Sequence, residues 1–501
     1  MLMMLLTIFF SIISTGIMSY LSMSTHLGPW VAPVFAVVSV AFIKPFFTKN
    51  WISKHLIVGI IGGSVGGMVG ICIGFSFPSF YFMHRRLFEY WSHTPIYFSI
   101  VIGLFILIAA SYSFLISYIL RNYFLMKGSY DFPMSKLIYE VIYVDKNKNS
   151  RVMMMLGMFL SAIWNVFSVS YNGVLSLYSS YMHTAPLLSS IGFITGLDSS
   201  VYIMLGLMTR IIVLRVIHIY IPSSLTDHAL LITFCSGMLV SWFVFYTHSL
   251  ALKKSLFGKF KLISYDWFFY WVLATAFGCF VLLSSWGIGI FSMILTFLIL
   301  MLIARYMIDI VSSVGVIEID TYVWFLLLIF VYFIPTTSLS IVALSVFAMV
   351  CLGLVVDFMF SYKLADLSGV DYKIIVKYQA VAVICSAATA GFWFWYISQH
   401  FELGSFNLMA YKAHELDSIV RYGRYDYRVF FAGFIYAAFL RNMFHNILTV
   451  AGGVLMTPFV SSILIASGAI AHLIEKRERF YSVCFGIYAG HMLWLILSAL
   501  K

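Results

Sequence analysis

Long uninterrupted runs of apolar residues, separated by short stretches that collect most of the charged residues, dominate the chain. The clearest runs are Leu2 to Leu21, Phe98 to Leu120, Trp267 to Ser284, Ser285 to Ile303, Ile341 to Phe360 and Ala380 to Ile397. Each is long enough as an α-helix to cross a hydrocarbon core, which needs roughly 20 apolar residues. The chain lacks the polar and apolar alternation of membrane strands, so the pattern predicts transmembrane helices.

The sequence therefore predicts an all-α, polytopic integral membrane bundle of about 14 to 16 transmembrane helices. For the number of membrane crossings to agree with the predicted sides of the loops, the stretch from Ala185 to Pro222 must begin and end on the same side of the membrane. We therefore expect a short broken segment ahead of a full span at Val201 to Ile221. The stretches between runs are too short to bury a separate core, so residues 1–501 are predicted to form a single transmembrane domain. The first run is expected to be a retained span, because no cleavage site precedes a polar mature domain.

Composition excludes the soluble classes. Hydrophobic residues make up 62% of the chain and charged residues 10%, whereas charged residues are about a quarter of a soluble domain. The six cysteines all lie inside apolar runs and form no Cys-x-x-Cys. We therefore expect no disulfide framework, no metal site and no cofactor. The formal net charge of +11 comes from residues mostly in short loops, so a nucleic-acid partner is not expected either.

The basic loops predict an orientation. Four clusters should face the cytoplasm by the positive-inside rule: Lys44, Lys49 and Lys54; Arg121, Lys127, Lys146, Lys148 and Arg151; Lys253, Lys254, Lys259 and Lys261; and Lys476, Arg477 and Arg479. The loops at residues 22–28 and 171–184 hold no Lys or Arg and should face outward, which places the N-terminus in the cytoplasm. Arg85 and Arg86 then fall on the outside, against the rule.

One predicted span is unusually rich in glycine. Six glycines lie between residues 62 and 74, mostly three or four positions apart, so one helix face is nearly bare backbone. Small faces allow helices to approach closely in lipid. Two interpretations stay open, a tight packing seam and a hinge or backbone surface that faces a substrate.

A short polar segment follows the run that ends at Leu120 and the basic link after it. Residues 131–143 read Asp-Phe-Pro-Met-Ser-Lys-Leu-Ile-Tyr-Glu-Val-Ile-Tyr. This order resembles the oligopeptide transporter (OPT) superfamily, in which a basic stretch precedes a Phe-Pro-Ser-Gly-Thr-Ala-Thr-Ala-Glu type of segment. Phe132, Pro133 and Glu140 fall in the matching places. The small residues between them are replaced here.

Further segments resemble the same superfamily in the same order, over roughly residues 50 to 495. They are Ser53 to Pro78, Gly192 to Gly206, Asp357 to Gly391, Leu403 to Ala413 and Gly486 to His491, the last with His491 where the family usually has Glu. The Asn-Pro-Gly and Lys-Ile-Pro-Pro-Arg signatures of the eukaryotic peptide branch are missing. The resemblance is therefore to compact prokaryotic members, and it implies a carrier of small peptides or metal chelates.

A faint internal similarity favours the same class. Lys54 to Pro78 followed by Asp131 to Tyr143 parallels Lys377 to Trp395 followed by Ser405 to Ile419. Duplicated halves with interrupted helices are typical of secondary carriers. The pseudo-repeats would lie near residues 1–250 and 260–501.

Ionisable residues inside spans are the candidates for function, since each is costly to insert unless it faces protein or water. We expect Lys136 and Glu140, four positions apart, to line the transport path together with Phe132 and Pro133. Arg441 and His445, also four apart, are candidates to attract an anionic group of the substrate. Proton coupling is assigned to a set of three candidates: His491, Asp309 and Asp357.

Other ionisable residues of the spans have less specific interpretations. Arg305 and Asp309 form either a neutralising pair or part of a gate. Arg210, Arg215 and His218 lie on the span after the glycine segment. For His491, a neutral imidazole that is hydrogen-bonded between two helices stays open as an alternative.

The sequence thus predicts a secondary active transporter and not an enzyme. Proton coupling is the default because the chain has no phosphate-binding Gly-x-x-x-x-Gly-Lys-Ser/Thr loop for ATP. The alternative is an integral membrane transferase that acts on a lipid-linked substrate, although the loop at residues 22–28 has no acid to hold a metal ion. A channel or scaffold subunit is a third class. The expected partners are a small solute, protons and the bilayer, with a homodimer left open.

Overall fold

The computed structural model describes residues 2–24, 32–39, 52–121, 124–125, 132–143, 148–170, 179–220, 227–252, 266–314, 319–333, 337–405, 408–422, 426–441, 447–474 and 480–499. This part of the chain is helical and contains no strand. The predicted all-α membrane bundle is therefore confirmed. Its helices are α1 (Leu2–Ser24), α2 (Ala32–Val38), α3 (Ile52–Ser76), α4 (Ser79–Met83), α5 (Arg85–Ser92), α6 (Pro95–Arg121), α7 (Pro133–Tyr143), α8 (Lys148–Ser170), α9 (Ser179–Tyr220), α10 (Asp227–Leu252), α11 (Asp266–Ser285), α12 (Ile290–Val314), α13 (Ile319–Phe333), α14 (Ser338–Ser368), α15 (Tyr372–His400), α16 (Tyr411–Tyr422), α17 (Tyr427–Arg441), α18 (Ile447–Leu455), α19 (Pro458–Leu473) and α20 (Tyr481–Ala499).

Seven stretches of the described residues are long and apolar enough to cross a membrane as helices. They are Leu2–Ser24, Ser53–Met83, Pro95–Arg121, Ala185–Val216, Ile290–Ser312, Ser338–Ser368 and Tyr372–His400. Four further apolar segments in the described ranges are shorter: Val152–Phe167, Ala229–Phe245, Ala274–Ser285 and Pro458–Leu473. The chain is thus a polytopic membrane protein, and the larger predicted number of crossings stays a prediction.

Helices α3 and α14 form the centre of the bundle. The most apolar window of α3 is 100% buried inside the protein and that of α14 is 94% buried, against 44% for α1, α6 and α15. A helix that is apolar on all sides can face either lipid or other helices, and burial of this extent shows that α3 and α14 are surrounded by other helices. The two helices are therefore the ones best shielded from lipid, and they pack directly against each other.

The glycine face of α3 is a packing seam with α1. A Cβ atom on Gly62 would lie 2.9 Å from the Thr7 Cα, and one on Gly70 would lie 2.9 Å from the Ser19 nitrogen. The Thr15 hydroxyl also donates a hydrogen bond to the Gly66 carbonyl, 3.1 Å away. The first of the two interpretations of this face is thus the one observed, because backbone of α1 occupies the place where side chains of α3 would be.

The central helices fall into two sets by direction. Contacts along their lengths show that α1, α3 and α15 run one way, while α6 and α14 run the other way. The start of α3 and the turn between α14 and α15 meet where Lys54 Nζ donates to the Gly369 carbonyl at 3.5 Å. The guanidinium of Arg121, at the end of α6, lies 4.0 Å from the Tyr372 ring centroid. We call this side of the bundle the basic end.

Aromatic side chains fill the opposite side, which we call the far end. The far-end aromatic cluster consists of Phe77, Phe80, Trp91, Phe98, Trp286 and Phe394. Most of its ring contacts are edge-to-face or tilted, Phe98 and Phe394 are stacked, and the centroids of contacting rings lie 5.0–6.2 Å apart. Aromatic pairs prefer such geometries over face-to-face stacking. Phe77, Phe80, Phe98 and Phe394 are fully buried. This end of the central helices is therefore tightly closed.

The outer helices pair through small residues as well. Helices α8 and α20 run in the same direction, with a Cβ on Gly486 lying 2.9 Å from the Met154 carbonyl carbon. Close glycine contacts also join α9 to α19 and α10 to α17. Because hydrophobic force does not hold helices together in lipid, such close backbone packing supplies much of their association.

The predicted internal duplication stays a prediction. Helices α3 and α15, which would correspond in it, pack side by side in the same direction. The polar helices that follow them dock differently. Ser135 of α7 bonds to Phe360, in the part of α14 that approaches the basic end, whereas Ala410, just before α16, bonds to Met23 near the far end.

Candidate functional site

A carboxyl group is buried at the contact between the two central helices. Asp357 on α14 is fully buried, and the Ser64 hydroxyl of α3 donates a hydrogen bond to its Oδ1. The segment of α3 around Ser64 has no large side chains on its α1 face, so this helix lies close to its neighbours. An ionisable group at such a position in a membrane bundle is costly and commonly functional.

The first turn of α7 lies between two spans that carry acidic residues, α12 and α14. We call this contact the α7 wedge. The backbone N–H of Phe132 donates to the Ser312 carbonyl on α12 at 3.0 Å, three positions after Asp309. The Ser135 hydroxyl donates to the Phe360 carbonyl on α14 at 2.9 Å, three positions after Asp357. Since three to four residues make one helical turn, the start of α7 lies about one turn from each acid-bearing position.

Phe132 holds this wedge in place. Its φ of 45° lies in the left-handed region, which is uncommon for a residue with a large side chain and carries a strain of order 1 kcal/mol or more. The ring is buried and meets the Phe360 ring edge to face, with centroids 5.9 Å apart. Strained residues of this kind persist only where the surroundings fix them.

Helix α7 is amphipathic in the way that its residues predict. Met134, Ser135, Ile138 and Ile142 are buried, whereas Lys136 and Glu140 are exposed on the opposite face, one turn apart. Of the predicted path residues, Phe132, Lys136 and Glu140 are therefore on one short helix at the wedge, and Pro133 is its first residue. The role of these residues in a path stays a prediction.

The other predicted site residues lie elsewhere. Arg441 is exposed at the end of α17, with its guanidinium 4.9 Å from the Phe245 ring centroid, and His445 lies outside the described residues. His491 on α20 is fully buried, and its Nδ1 donates to Asn165 Oδ1 on α8 at 2.9 Å. This bond matches the alternative of an imidazole held between two helices, and proton coupling at His491 stays a prediction.

Asp309 lies one turn from Arg305 on α12, and both are half-buried. Two of the three proton-coupling candidates, Asp309 and Asp357, thus lie about one turn from the contacts that the start of α7 makes with α12 and α14. His491 lies in the contact between α8 and α20, and α20 also packs against α7.

A buried ion-pair cluster near the far end was missed by the sequence reasoning. Lys412 Nζ on α16 lies 2.7 Å from Asp320 Oδ2 on α13 and 3.5 Å from Glu415 Oε2. The Lys412 and Asp320 side chains are 11% and 3% exposed. Burial raises the pKa of Glu415, an effect that the neighbouring Lys412 partly opposes. The spacing of Lys412 and Glu415, three apart, and the acid at the start of the apolar α13 were the available signals.

Two breaks interrupt the helices of the α9, α18 and α19 group, and the second of them lies beside Arg210. Helix α9 contains Gly196 with φ 77° and ψ −169°, so the expected break ahead of the span at Val201 is present. Helices α18 and α19 are separated at Met456 and Thr457. Arg210 Nη1 donates to the carbonyls of Val454, Leu455 and Met456 at 3.2, 3.1 and 2.9 Å. An arginine on the last carbonyls of a helix satisfies groups that have no intrahelical partner.

Among the described residues, no group of three or more His, Cys, Asp or Glu residues is placed to hold a metal ion. All six cysteines are free thiols. What the described arrangement offers is buried carboxyls, a wedge helix and a cation at a helix break.

No protein-family model matches the chain, and a search of curated proteins finds no significant match.

Proposed function

We propose that the protein is a proton-coupled secondary active transporter, and not an enzyme, that moves small peptides or peptide-like metal chelates across the cytoplasmic membrane. The resemblance of its segments to compact prokaryotic members of the OPT superfamily supports this proposal. The observation that carries this proposal is the insertion of α7 between the acid-bearing spans α12 and α14.

A short amphipathic helix in this position can respond to protonation of either acid. Protonation of a buried carboxyl removes a charge that its surroundings stabilise, and the balance between alternative packings of nearby helices changes with it. The first turn of α7 is bonded to both spans, so its position is sensitive to both. The exposed face with Lys136 and Glu140 then offers charges to a solute that carries an amino or a carboxylate group.

The closed far end fits one state of an alternating-access cycle. The far-end aromatic cluster blocks the central helices there, while α7 docks near the basic end. In this proposal the basic end faces the cytoplasm, because Lys54, Arg121 and Lys373 gather there. Cysteine labelling from outside should modify Arg86→Cys and miss Lys373→Cys, both exposed positions. The reverse pattern would invert the orientation.

Uptake by reconstituted vesicles tests the function. Purified protein in sealed vesicles should accumulate a labelled dipeptide, or a metal chelate of a peptide-like ligand, when an inward proton gradient is imposed. A protonophore should abolish accumulation and leave passive exchange. If none of these solutes enters faster than in protein-free vesicles, under any gradient, the transport proposal is wrong.

A further inference from the structure

Helix α5 has two faces of different chemistry. Phe88 and Trp91 are buried, and the Phe88 ring contacts that of Phe98 with centroids 5.6 Å apart. Arg86 and Tyr90, four positions apart and therefore on one face of the helix, are both exposed. Helix α5 thus packs against the far-end aromatic cluster with one face and presents a cation and an aromatic ring on the other.

The two arginines of α5 differ in their surroundings. Arg85 Nε donates to Glu89 Oε1 at 2.9 Å, and its guanidinium lies 5.2 Å from the Tyr81 ring centroid. Arg86 forms no ion pair with any of the described residues. The charge of Arg86 is therefore available to an anion outside the chain.

An exposed apolar stripe runs along α6, the helix that follows. Its side chains are those of Tyr97, Ile100, Leu104 and Leu107, spaced three and four positions apart, as residues on one helix face are. Pro95–Arg121 is long and apolar enough to cross the membrane, so lipid chains cover this stripe. Tyrosine is enriched where a span meets the headgroups, and Tyr97 is the first residue of the stripe.

A short turn joins α5 to α6 and sets the level of Arg86. The Phe98 nitrogen on α6 donates to the Thr94 carbonyl at 3.0 Å. Phe88, two positions after Arg86, contacts the same Phe98, which is the neighbour of Tyr97. Arg86 therefore lies near the first turn of the stripe, at the level where headgroups meet the lipid chains.

From this arrangement we infer that Arg86 and Tyr90 bind the phosphate of an anionic membrane lipid whose acyl chain lies along the exposed stripe of α6. The guanidinium supplies the charge and the phosphate oxygens accept its hydrogen bonds. A lipid fits better than a free anion, because the cation and the apolar stripe adjoin. The inference goes beyond the proposed function, since binding of this kind needs no transport.

The site accounts for a departure from the positive-inside rule. Arg85 and Arg86 lie on the side where the rule expects few cations, and a lipid phosphate gives the second of them a partner there. Because Trp91 of the same helix belongs to the far-end aromatic cluster, a lipid bound to the outer face of α5 would also stabilise the closed far end.

Hydrogen exchange of the α5 amides in the intact protein, purified in an uncharged detergent, tests the site. The probes are dioleoyl phosphatidylglycerol, which is anionic, dioleoyl phosphatidylcholine, which has the same chains and no net charge, and glycerol phosphate, which has no chains. Phosphatidylglycerol should slow exchange in α5 at about a fivefold lower concentration than phosphatidylcholine, the preference that one cation near an anionic surface supplies. Glycerol phosphate should have no effect.

Variants of α5 locate the preference. Arg86→Gln should respond equally to the two lipids, and Arg86→Lys, which keeps the charge, should retain the preference for phosphatidylglycerol. The matched control is Arg85→Gln combined with Glu89→Gln, which removes the neighbouring ion pair without a change in net charge. This double variant should prefer phosphatidylglycerol as the wild type does.

Three results would overturn the inference. They are equal effects of the two lipids on wild-type α5, a preference for phosphatidylglycerol that persists in Arg86→Gln, and a preference that is lost in the double variant as well. Slower exchange with glycerol phosphate alone would show a site for a free anion and refute lipid docking. Since exchange is measured without transport, a protein that moves no solute could still show the lipid site.

Discussion

The glycine seam between α1 and α3 permits a stability prediction. Gly66→Ala, in the seam, should destabilise the protein, whereas Gly452→Ala, outside it, should not. In Gly66→Ala the new Cβ would lie 2.7 Å from the Ser11 Cα and closer still to the Ser11 carbonyl oxygen. Both are backbone atoms of α1. No side chain can turn away to relieve the contact, so the helices must separate by about 1 Å to restore an ordinary distance.

The expected cost follows from three terms. Overpacking of this kind costs about 1–3 kcal/mol. Separation also weakens the hydrogen bond from the Thr15 hydroxyl to the Gly66 carbonyl, 3.1 Å long, which contributes about 0.5–1.5 kcal/mol. The higher helix propensity of alanine relative to glycine stabilises the variant by about 0.5–1 kcal/mol and offsets part of this loss. The net expectation is a loss of about 2 kcal/mol of folding free energy.

The matched control is Gly452→Ala in α18, where a Cβ would meet nothing within 4 Å. Only the helical preference operates there, so this variant should be neutral or slightly more stable than wild type. The measurement is unfolding of both purified variants by increasing SDS in mixed micelles, followed by circular dichroism. The two should differ by about 2–3 kcal/mol. Equal stability of Gly66→Ala and Gly452→Ala would show that α1 does not pack on this face of α3.

Three further predictions concern the charged groups. Glu140→Gln should lower uptake about tenfold with normal membrane expression, since one charged contact is worth about 1.4 kcal/mol; unchanged uptake would exclude Glu140 from the path. Asp357→Asn should abolish proton-driven accumulation while solute exchange continues, and Asp366→Asn, exposed on the same helix, should keep both; a wild-type pH profile in Asp357→Asn would exclude coupling there. Lys412→Met should destabilise the protein by about 3–5 kcal/mol, because the buried Asp320 carboxyl loses its ionic partner. Adding Asp320→Leu should recover most of that loss in thermal unfolding, and a double variant no more stable than the single one would argue against the pair.

Local chemistry along the chain determined the class of the fold. The length and apolar character of each run specify a helix that can cross a bilayer, because in lipid a segment must satisfy its own backbone hydrogen bonds. The glycines of α3 indicated close packing for the same local reason, that one face has no side chains. The amphipathic character of α7, with Lys136 and Glu140 on one side, likewise follows from spacing within a single helix.

Only the tertiary structure decided which helices meet, and therefore which polar groups are neighbours. Ser64 and Asp357 are 293 positions apart, and no periodicity relates them. The same holds for Lys412 with Asp320 and for Arg210 with the end of α18. Helices that are apolar on most sides have many nearly equivalent ways to pack, since lipid and protein interior are similar in polarity. The choice among those packings depends on the shapes of small-residue faces and on the few buried polar contacts, and these act only once the whole bundle has assembled.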